Sequence, residues 1–582
     1  MWPLSLSLPA SSKLVYSLLT LGFLSLPVLS THEATSPVVA IEQGSFIGST
    51  DGHTNRYLGI RYAQPPTGDL RFRRPLPVEP YTGTIDVSDF APICPQHLIE
   101  LPSELPPTLD VGMTLRIVTG VYNATAPQSE DCLSLNIWTP PNVSGDSKLP
   151  VAVWIHGGGF QVGSANQYDG GILVRRSIEI GEPMIFVGLN YRLSALGWLA
   201  GKEAKEAGVG NLGFFDQRLA LKWIQKNIQL FGGDPTKVTI FGESAGAVSV
   251  ATHMMTNNGD HEGLFRAAFM ESGSTWPVGD MEGGQRWYDD LVANTECADE
   301  EDTVECLRDV PLDKLRAAMD RAPAFFSYSA LSLSWGPRTD GEFMPNSGRE
   351  LLMSGNVAKV PTLIGTCDDE GTAFALGAAN TTTTEELRDY LSTIVFPDAT
   401  QSSIDALLEA YPEDPTLGAP FGTGEMNAIS PQFKRLAAIW SDLAFIAPKA
   451  LWAKKRADIQ DTWVYVHKRN KNVAVLGATH FTDIFDLFGP SDMTDHFIHF
   501  VSYLNPNGGA PVEVQTVFDD LSTHSQVPLN IGGAVGWPRY NSATKLKLAY
   551  MAGSPSVSVV PDTDREKQVT FMMKFLEENQ MR

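Results

Sequence analysis

Positive charge is scarce in this chain. Its 582 residues carry 43 Lys and Arg against 67 Asp and Glu, a formal net charge of −24. Nucleic-acid partners need clustered Lys and Arg to neutralise phosphates, so this balance argues against them. The short basic stretches Arg71/Arg73/Arg74 and Lys454/Lys455/Arg456 read as structural or solvated. Linkers are missing too: there is no Pro/Gly/Ser-rich connector, no internal repeat, and no low-complexity run beyond Thr381–Thr384. Length alone suggests several domains, but without boundaries one large domain with long insertions, 31–582, is the better reading. Beyond the N-terminal region, no apolar run reads as long enough to cross a bilayer. Cysteine is limited to Cys94, Cys132, Cys297, Cys306 and Cys367. Four could form two bridges and leave one thiol, with the pairing open.

What is present is an ordinary globular composition, 43% hydrophobic and 19% charged, with ample length for a large core. At the N-terminus Lys13 precedes an apolar run from Leu14 to Leu29, and Ser30 offers a small residue for cleavage. Residues 1–30 therefore read as a signal peptide and the protein as secreted and extracellular. A membrane anchor is the alternative, disfavoured because the run is short and interrupted by Ser17, Thr20, Ser25 and Pro27. The sequons at Asn123, Asn142 and Asn380 suit a glycosylated secreted protein.

Short apolar runs at 151–155, 184–189, 238–241, 267–270, 362–365 and 463–466 read as buried strands. A helical pattern over 217–230 stops at Gly232-Gly233. Alternating strands and helices imply an α/β fold, a large mostly parallel sheet flanked by helices. Functional groups in such sheets collect beyond the carboxyl ends of the strands. After the 238–241 strand comes Gly242-Glu243-Ser244-Ala245-Gly246, the G-x-S-x-G elbow that exposes a nucleophilic serine between a strand and a helix. The following helix would aim its N-terminal dipole at developing negative charge. After the 151–155 strand comes His156-Gly157-Gly158-Gly159-Phe160, a loop of the type that lends backbone N–H groups to an oxyanion hole. A phosphate loop would need a following Lys-Ser/Thr, which is absent. His156 then reads as structural.

A serine hydrolase of this kind needs an acid and then a histidine later in the chain. After the 362–365 strand, Asp368, Asp369 and Glu370 compete, and spacing does not choose among them. His480 follows the 463–466 strand after a short connection and stands against His467, His496, His499 and His524.

These motifs, with Tyr57–Phe72, Glu130–Ile137, Asn190-Tyr191-Arg192 and Phe231–Pro235, resemble the type-B carboxylesterase/lipase family over nearly the whole mature chain. Tyr411–Gly424 and Pro431–Ala437 are most similar to fungal lipases of the Candida rugosa and Geotrichum type. The resemblance implies an α/β-hydrolase fold and a triad of Ser244, Glu370 and His480. Asp368 and Asp369 are left as surface or loop acids. It implies an oxyanion hole from Gly158, Gly159 and Ala245, and disulfides Cys94–Cys132 and Cys297–Cys306. In the fungal lipases the first of these disulfide loops carries the lid. The apolar load of 94–132 (Leu98, Ile99, Leu101, Leu105, Leu109, Val111, Met113, Leu115, Ile117 and Val118) reads either as packing onto the body of the protein or as a lid face that opens onto a lipid surface. His156 departs from the phenylalanine of the Candida rugosa lipases, which bears on substrate preference.

The implied reaction is acyl transfer through an acyl-enzyme, requiring neither metal nor organic cofactor. Expected substrates are long-chain acyl glycerols or sterol esters, with transient contact to a lipid interface. The alternatives are a general short-chain or xenobiotic carboxylesterase and, further off, a non-catalytic adhesion-type member. A choline esterase is disfavoured because no cation-binding aromatic site is evident. Glu243 and Ser249 are candidates for supporting groups, with core or surface roles the plainer reading. Cys367 reads as a buried structural thiol.

Overall fold

The central runs of the sequence are apolar without alternation because a parallel sheet covered on both faces buries every residue. In the computed structural model, which describes residues 36–99, 106–121, 126–509, 530–531, 534–554 and 556–581, these runs form an eleven-stranded sheet. Its strands are β1 (Ser49–Thr50), β2 (Asn55–Arg61), β3 (Ser134–Thr139), β4 (Leu149–Ile155), β5 (Ile185–Leu189) and β6 (Gly233–Glu243). They continue with β7 (Ala267–Glu271), β8 (Thr362–Cys367), β9 (Thr462–Lys468), β10 (Leu546–Met551) and β11 (Val557–Pro561). The spatial order is β11-β10-β9-β8-β7-β6-β4-β5-β3-β2-β1. Pairings from β5 to β10 are parallel, and those at the two margins are antiparallel. A separate three-stranded sheet joins Val38–Ile41, Gln43–Ile47 and Thr82–Asp86.

The principal helices here are α1 (Val111–Val121), α2 (Gly170–Glu179), α3 (Leu212–Asn227), α4 (Ala245–Met255), α5 (Ala447–Arg456), α6 (Asp492–Tyr503) and α7 (Glu566–Glu578). The pattern over 217–230 becomes α3 followed by a tighter turn at Ile228–Phe231, and Gly232 ends it with φ 88°. α3 begins earlier than the pattern because Gly213 packs against Trp198, where a Cβ would come within 2.4 Å of the ring.

The path of the chain creates the site. From β4 it moves outward to β5, then crosses back over β4 to lay down β6, so the order reverses between β4 and β6. Ligand sites of open α/β sheets form at such a switch point. The register pairs Ile155 with Gly242, so the glycine loop after β4 and the elbow after β6 emerge side by side.

One expectation is corrected. The stretch Phe433–Arg456, which includes α5, is long and apolar enough to cross a membrane by length and composition. It packs inside the protein, with 89% of its most apolar window buried, so its hydropathy reflects the core. The N-terminal run 1–30, Asn123, Leu101, Leu105 and His524 lie outside the described residues. Asn142 and Asn380 are exposed.

Candidate active site

Ser244 stands between β6 and α4 with φ 56° and ψ −122°, a conformation that costs a non-glycine residue about 1–3 kcal/mol. The surroundings hold it there. Its N–H donates to the Glu271 carbonyl at 2.9 Å, and its carbonyl accepts from the Val248 N–H at 3.0 Å. The flanking glycines are required by close approach. A Cβ on Gly246 would meet the Ile155 carbonyl oxygen at 1.9 Å, and one on Gly242 would meet it at 2.5 Å.

The glycine loop passes directly above. A Cβ on Gly157 would lie 3.0 Å from the Ser244 Cβ. Gly158 has φ 102°, and no backbone carbonyl among the described residues accepts its N–H or that of Gly159. Ala245 is the first residue of α4, a position whose N–H has no intrahelical acceptor. His156 is buried, stacked on Tyr191 with ring centroids 4.4 Å apart. Burial pulls its imidazole down to about 4, against the Gly157 carbonyl, so it stays neutral and structural.

His480 and Glu370 meet across their two loops: Nδ1 lies 2.6 Å from Oε2. The other carboxylate oxygen, Oε1, accepts from the Ser272 hydroxyl at 2.6 Å and the Cys367 N–H at 2.7 Å. Ser272 was not singled out in the sequence. The rule that pointed to the elbow would have found it, since it is the first residue beyond β7. Of the other four histidines, His467 is bound to Asp486, His496 to Tyr550 and His499 to Glu182.

Asp368 and Asp369 are not surface acids. They are 8% and 0% exposed, and Asp369 is a knot between the loops that carry Glu370 and His480. Its carboxylate accepts from Ala478 N–H and Phe421 N–H, each at 2.8 Å, and from Lys471 Nζ at 2.7 Å. Its own N–H donates to the Ala478 carbonyl at 2.9 Å. One acid thus ties the segment before Glu370 to the segment before His480. Asp369→Ala would leave the Ala478 and Phe421 N–H groups unmatched and Lys471 with Asp368 alone, a loss of about 1–3 kcal/mol for each stranded N–H. Urea titration should show it as a lower midpoint, with Asp369→Asn recovering part of the loss; an unchanged midpoint would count against the knot.

Buried acid also surrounds the histidine. Glu243 Oε1 lies 3.1 Å from His480 Nε2, yet neither Glu243 oxygen has a hydrogen-bond donor among the described residues. Burial pushes Glu243 up to about 8, with Asp483 and Glu370 adding to the rise and His480 opposing it. Burial lowers His480, but Glu243 and then Glu370 outweigh it and carry the imidazole up to about 9. The two groups compete for a proton and titrate as a pair. A general base must be neutral, so the acid limb of kcat/KM should lie above the ordinary histidine range. Removing a neighbouring negative charge lowers a histidine pKa, so Glu243→Gln should move that limb to lower pH in a pH–rate profile. A limb that stays in place would show that Glu243 carries no charge beside the working base. Glu271 is buried with both oxygens unbonded, and burial, then Asp483 and Glu243, raise it well above the carboxylate range. Ser249 is buried and donates to the Ala245 carbonyl at 2.8 Å, bracing the first turn of α4. Cys367 is a buried free thiol whose pKa burial raises, which removes it as a nucleophile.

Aromatic rings close the site. Phe325 abuts Gly159, where a Cβ would come within 3.0 Å of its ring. From Phe325 the contacts run to Phe326 at 4.4 Å, to Phe374 at 5.8 Å, to Phe445 at 5.9 Å and to His480 at 4.5 Å between centroids. The disulfides are Cys94–Cys132 and Cys297–Cys306. Within the first loop α1 buries Ile117 while Val111 and Leu115 are 57% and 52% exposed. Gly120 seats on the ring of Phe481, the residue after His480, where a Cβ would come within 2.6 Å. The Arg116 guanidinium stacks over Phe485 at 4.2 Å.

A parallel sheet with a serine elbow at its switch point, and an acid and histidine delivered by later strands, defines an α/β-hydrolase. The chain belongs to the carboxylesterase family, whose model matches residues 35–548, and it is a carboxylic ester hydrolase. It is 40% identical over 562 residues to Secreted lipase 1 of Botryotinia fuckeliana (strain B05.10), covering 92% of this chain and 94% of that one. It is 38% identical over 491 residues to Lipase 2 of Geotrichum candidum, covering 79% and 86%. Among solved structures it is similar to EstA of Aspergillus niger, with a TM-score of 0.75 and 26% identity, covering 93% of this chain and 98% of that one. The resemblance to fungal lipases therefore holds over most of the chain.

Proposed function

We propose that the protein is a secreted lipase that hydrolyses long-chain acyl esters through an acyl-enzyme on Ser244. His480 takes the Ser244 proton and returns it to the leaving alcohol, and Glu370 fixes the imidazole tautomer and offsets its charge. The N–H groups of Gly158, Gly159 and Ala245 hold the oxyanion; each such donor is worth about 10²–10³ in turnover. Water then releases the acyl group, again through His480. Residues 31–582 act as one catalytic domain, and 1–30 direct export. The names of the secreted lipase and the Geotrichum lipase support this reading.

The observation that carries it is the phenylalanine wall from Gly159 to His480. An acyl chain leaving the oxyanion loop meets rings, which favours chain length at about 0.8 kcal/mol per buried CH₂. The 94–132 loop acts as a lid: α1, exposed on one side and seated on Phe481 and Phe485, swings to offer its apolar residues to a lipid interface. A series of p-nitrophenyl esters, with triolein emulsion and a cholesteryl ester alongside, tests the proposal. Activity rising with chain length and on emulsions is expected. Preference for acetate or butyrate with none on emulsions would make the protein a general carboxylesterase.

A further inference from the structure

Among the described residues, Lys434, Arg435 and Arg456 are buried without a carboxylate partner but are met by carbonyl, hydroxyl or amide oxygens, whereas Lys449 is met by almost nothing. Lys449, on α5, is 3% exposed, and no carboxylate among the described residues lies within ion-pair distance of it. Its one hydrogen-bond partner among the described residues is the Thr366 hydroxyl, at a long 3.5 Å. A buried ammonium can donate three hydrogen bonds, and leaving them unmet is costly. Burial draws this group down to about 8, with Asp562 opposing.

Lys449 lines a cavity of about 250 Å³ between α5, α7 and the ends of β8, β9 and β10. The other cations of the wall are already matched, apart from Lys454, which is exposed. Lys547 meets Asp562 at 2.8 Å, Lys545 meets Glu566 at 3.0 Å, and Arg565 meets Asp442 at 2.7 Å. With these pairs set aside and Lys454 in solvent, Lys449 is the one positive charge of the wall left over among the described residues. That charge suits a monoanion, and the acids Asp562 and Asp564 repel a phosphate dianion. Ile446, Ala450, Val466, Val569 and Met573 form the apolar part of the wall, beside the hydroxyls of Thr366, Tyr540, Ser542 and Thr570. On this measure one water needs about 10–15 Å³, so the cavity takes a ligand of the order of ten heavy atoms.

We propose that this cavity is a second ligand site, in which Lys449 binds the carboxylate of a medium-chain fatty acid and the apolar wall takes its chain. The site abuts the catalytic acid without containing it. Cys367 and Asp368 line the cavity, and the Cys367 N–H holds Glu370. That the ligand is also a reaction product rests on the function proposed above; the binding itself does not.

The test is calorimetry with sodium octanoate, octanol and inorganic phosphate as separate probes. Protein whose serine has been esterified by an alkyl phosphonate is used, so that the acyl pocket is filled. Failure of the phosphonate to label the protein would count against the esterase reading alone, and the titration would then run on unlabelled protein. Octanoate should bind at one site, and Lys449→Met should weaken it about 10- to 100-fold, the worth of a charge-assisted hydrogen bond. Val569→Phe, which fills the cavity from α7 and leaves the lysine alone, should weaken it as well. The proposal fails if octanoate does not bind, if both variants bind it as the parent does, if octanol binds equally well, or if phosphate binds in its place.

Discussion

Ser244→Ala should lower kcat on any ester by about 10⁶ while leaving the fold intact. The hydroxyl is the only group at the elbow able to form an acyl-enzyme, since Cys367 is buried as a neutral thiol. Residual turnover of about 10³–10⁴ over water should survive, because the N–H groups around the oxyanion and the phenylalanine wall remain. Stability gives the same substitution a second readout. Alanine keeps the Cβ, so it inherits the backbone strain at φ 56° and should melt close to the parent. Ser244→Gly loses the nucleophile equally but releases that strain. It should melt higher, limited by glycine's larger unfolded-state entropy. The pair separates catalysis from folding: activity falls alike in both, and stability rises in one. Loss of activity in alanine accompanied by a large fall in melting temperature would mean that the hydroxyl serves structure first.

The elbow and the glycine loop were legible because their chemistry is backbone chemistry. Gly242 and Gly246 are demanded by the Ile155 carbonyl and Gly158 by the Val162 carbonyl, and because each demand falls on a glycine beside the serine or in the loop over it, it leaves a short motif. The acid and the histidine are long-range partners. Spacing could not choose Glu370 over Asp368 and Asp369, since all three follow the same strand and all three are buried. What separates them is direction: Glu370 points to His480 and Ser272, while Asp369 points to Ala478 and Lys471. Asp369 lies in the loop, and what the residues do not show is its burial, because an isolated carboxylate usually seeks water. Its counter-charge, Lys471, lies 102 residues away. The same distance hid the phenylalanine wall, whose rings come from three separated segments. The sheet was easier, since a strand buried on both faces announces itself as an unbroken apolar run. The order that places β6 beside β4 was not written in any run.

Glu370→Gln should cost about 10⁴ in kcat, the effect of presenting the wrong histidine tautomer. Glutamine matches the shape of the acid, so the loss has an electronic cause that the contacts make explicit. In the parent, Oε1 accepts from Ser272 Oγ and Cys367 N–H, and Oε2 faces His480 Nδ1. If the amide oxygen takes the Oε1 place, its NH₂ faces Nδ1, which must then accept. The ring proton moves to Nε2, the atom that has to receive the proton of Ser244. If the amide is flipped, its NH₂ opposes the Cys367 N–H, two donors face to face, and a buried N–H is left unmatched. Either arrangement also removes the charge that steadies the imidazolium as it forms. Glu370→Asp keeps the charge but shortens the reach, so it should fall between the parent and glutamine. Measured kcat/KM on one soluble ester should therefore rank parent, then aspartate, then glutamine. A reaction with alkyl phosphonate slowed in the same order would place the loss at nucleophile activation. A glutamine variant within about tenfold of the parent, against a tautomer cost of about 10⁴, would remove Glu370 from the mechanism. It would return the choice to Glu243, the other carboxylate beside His480.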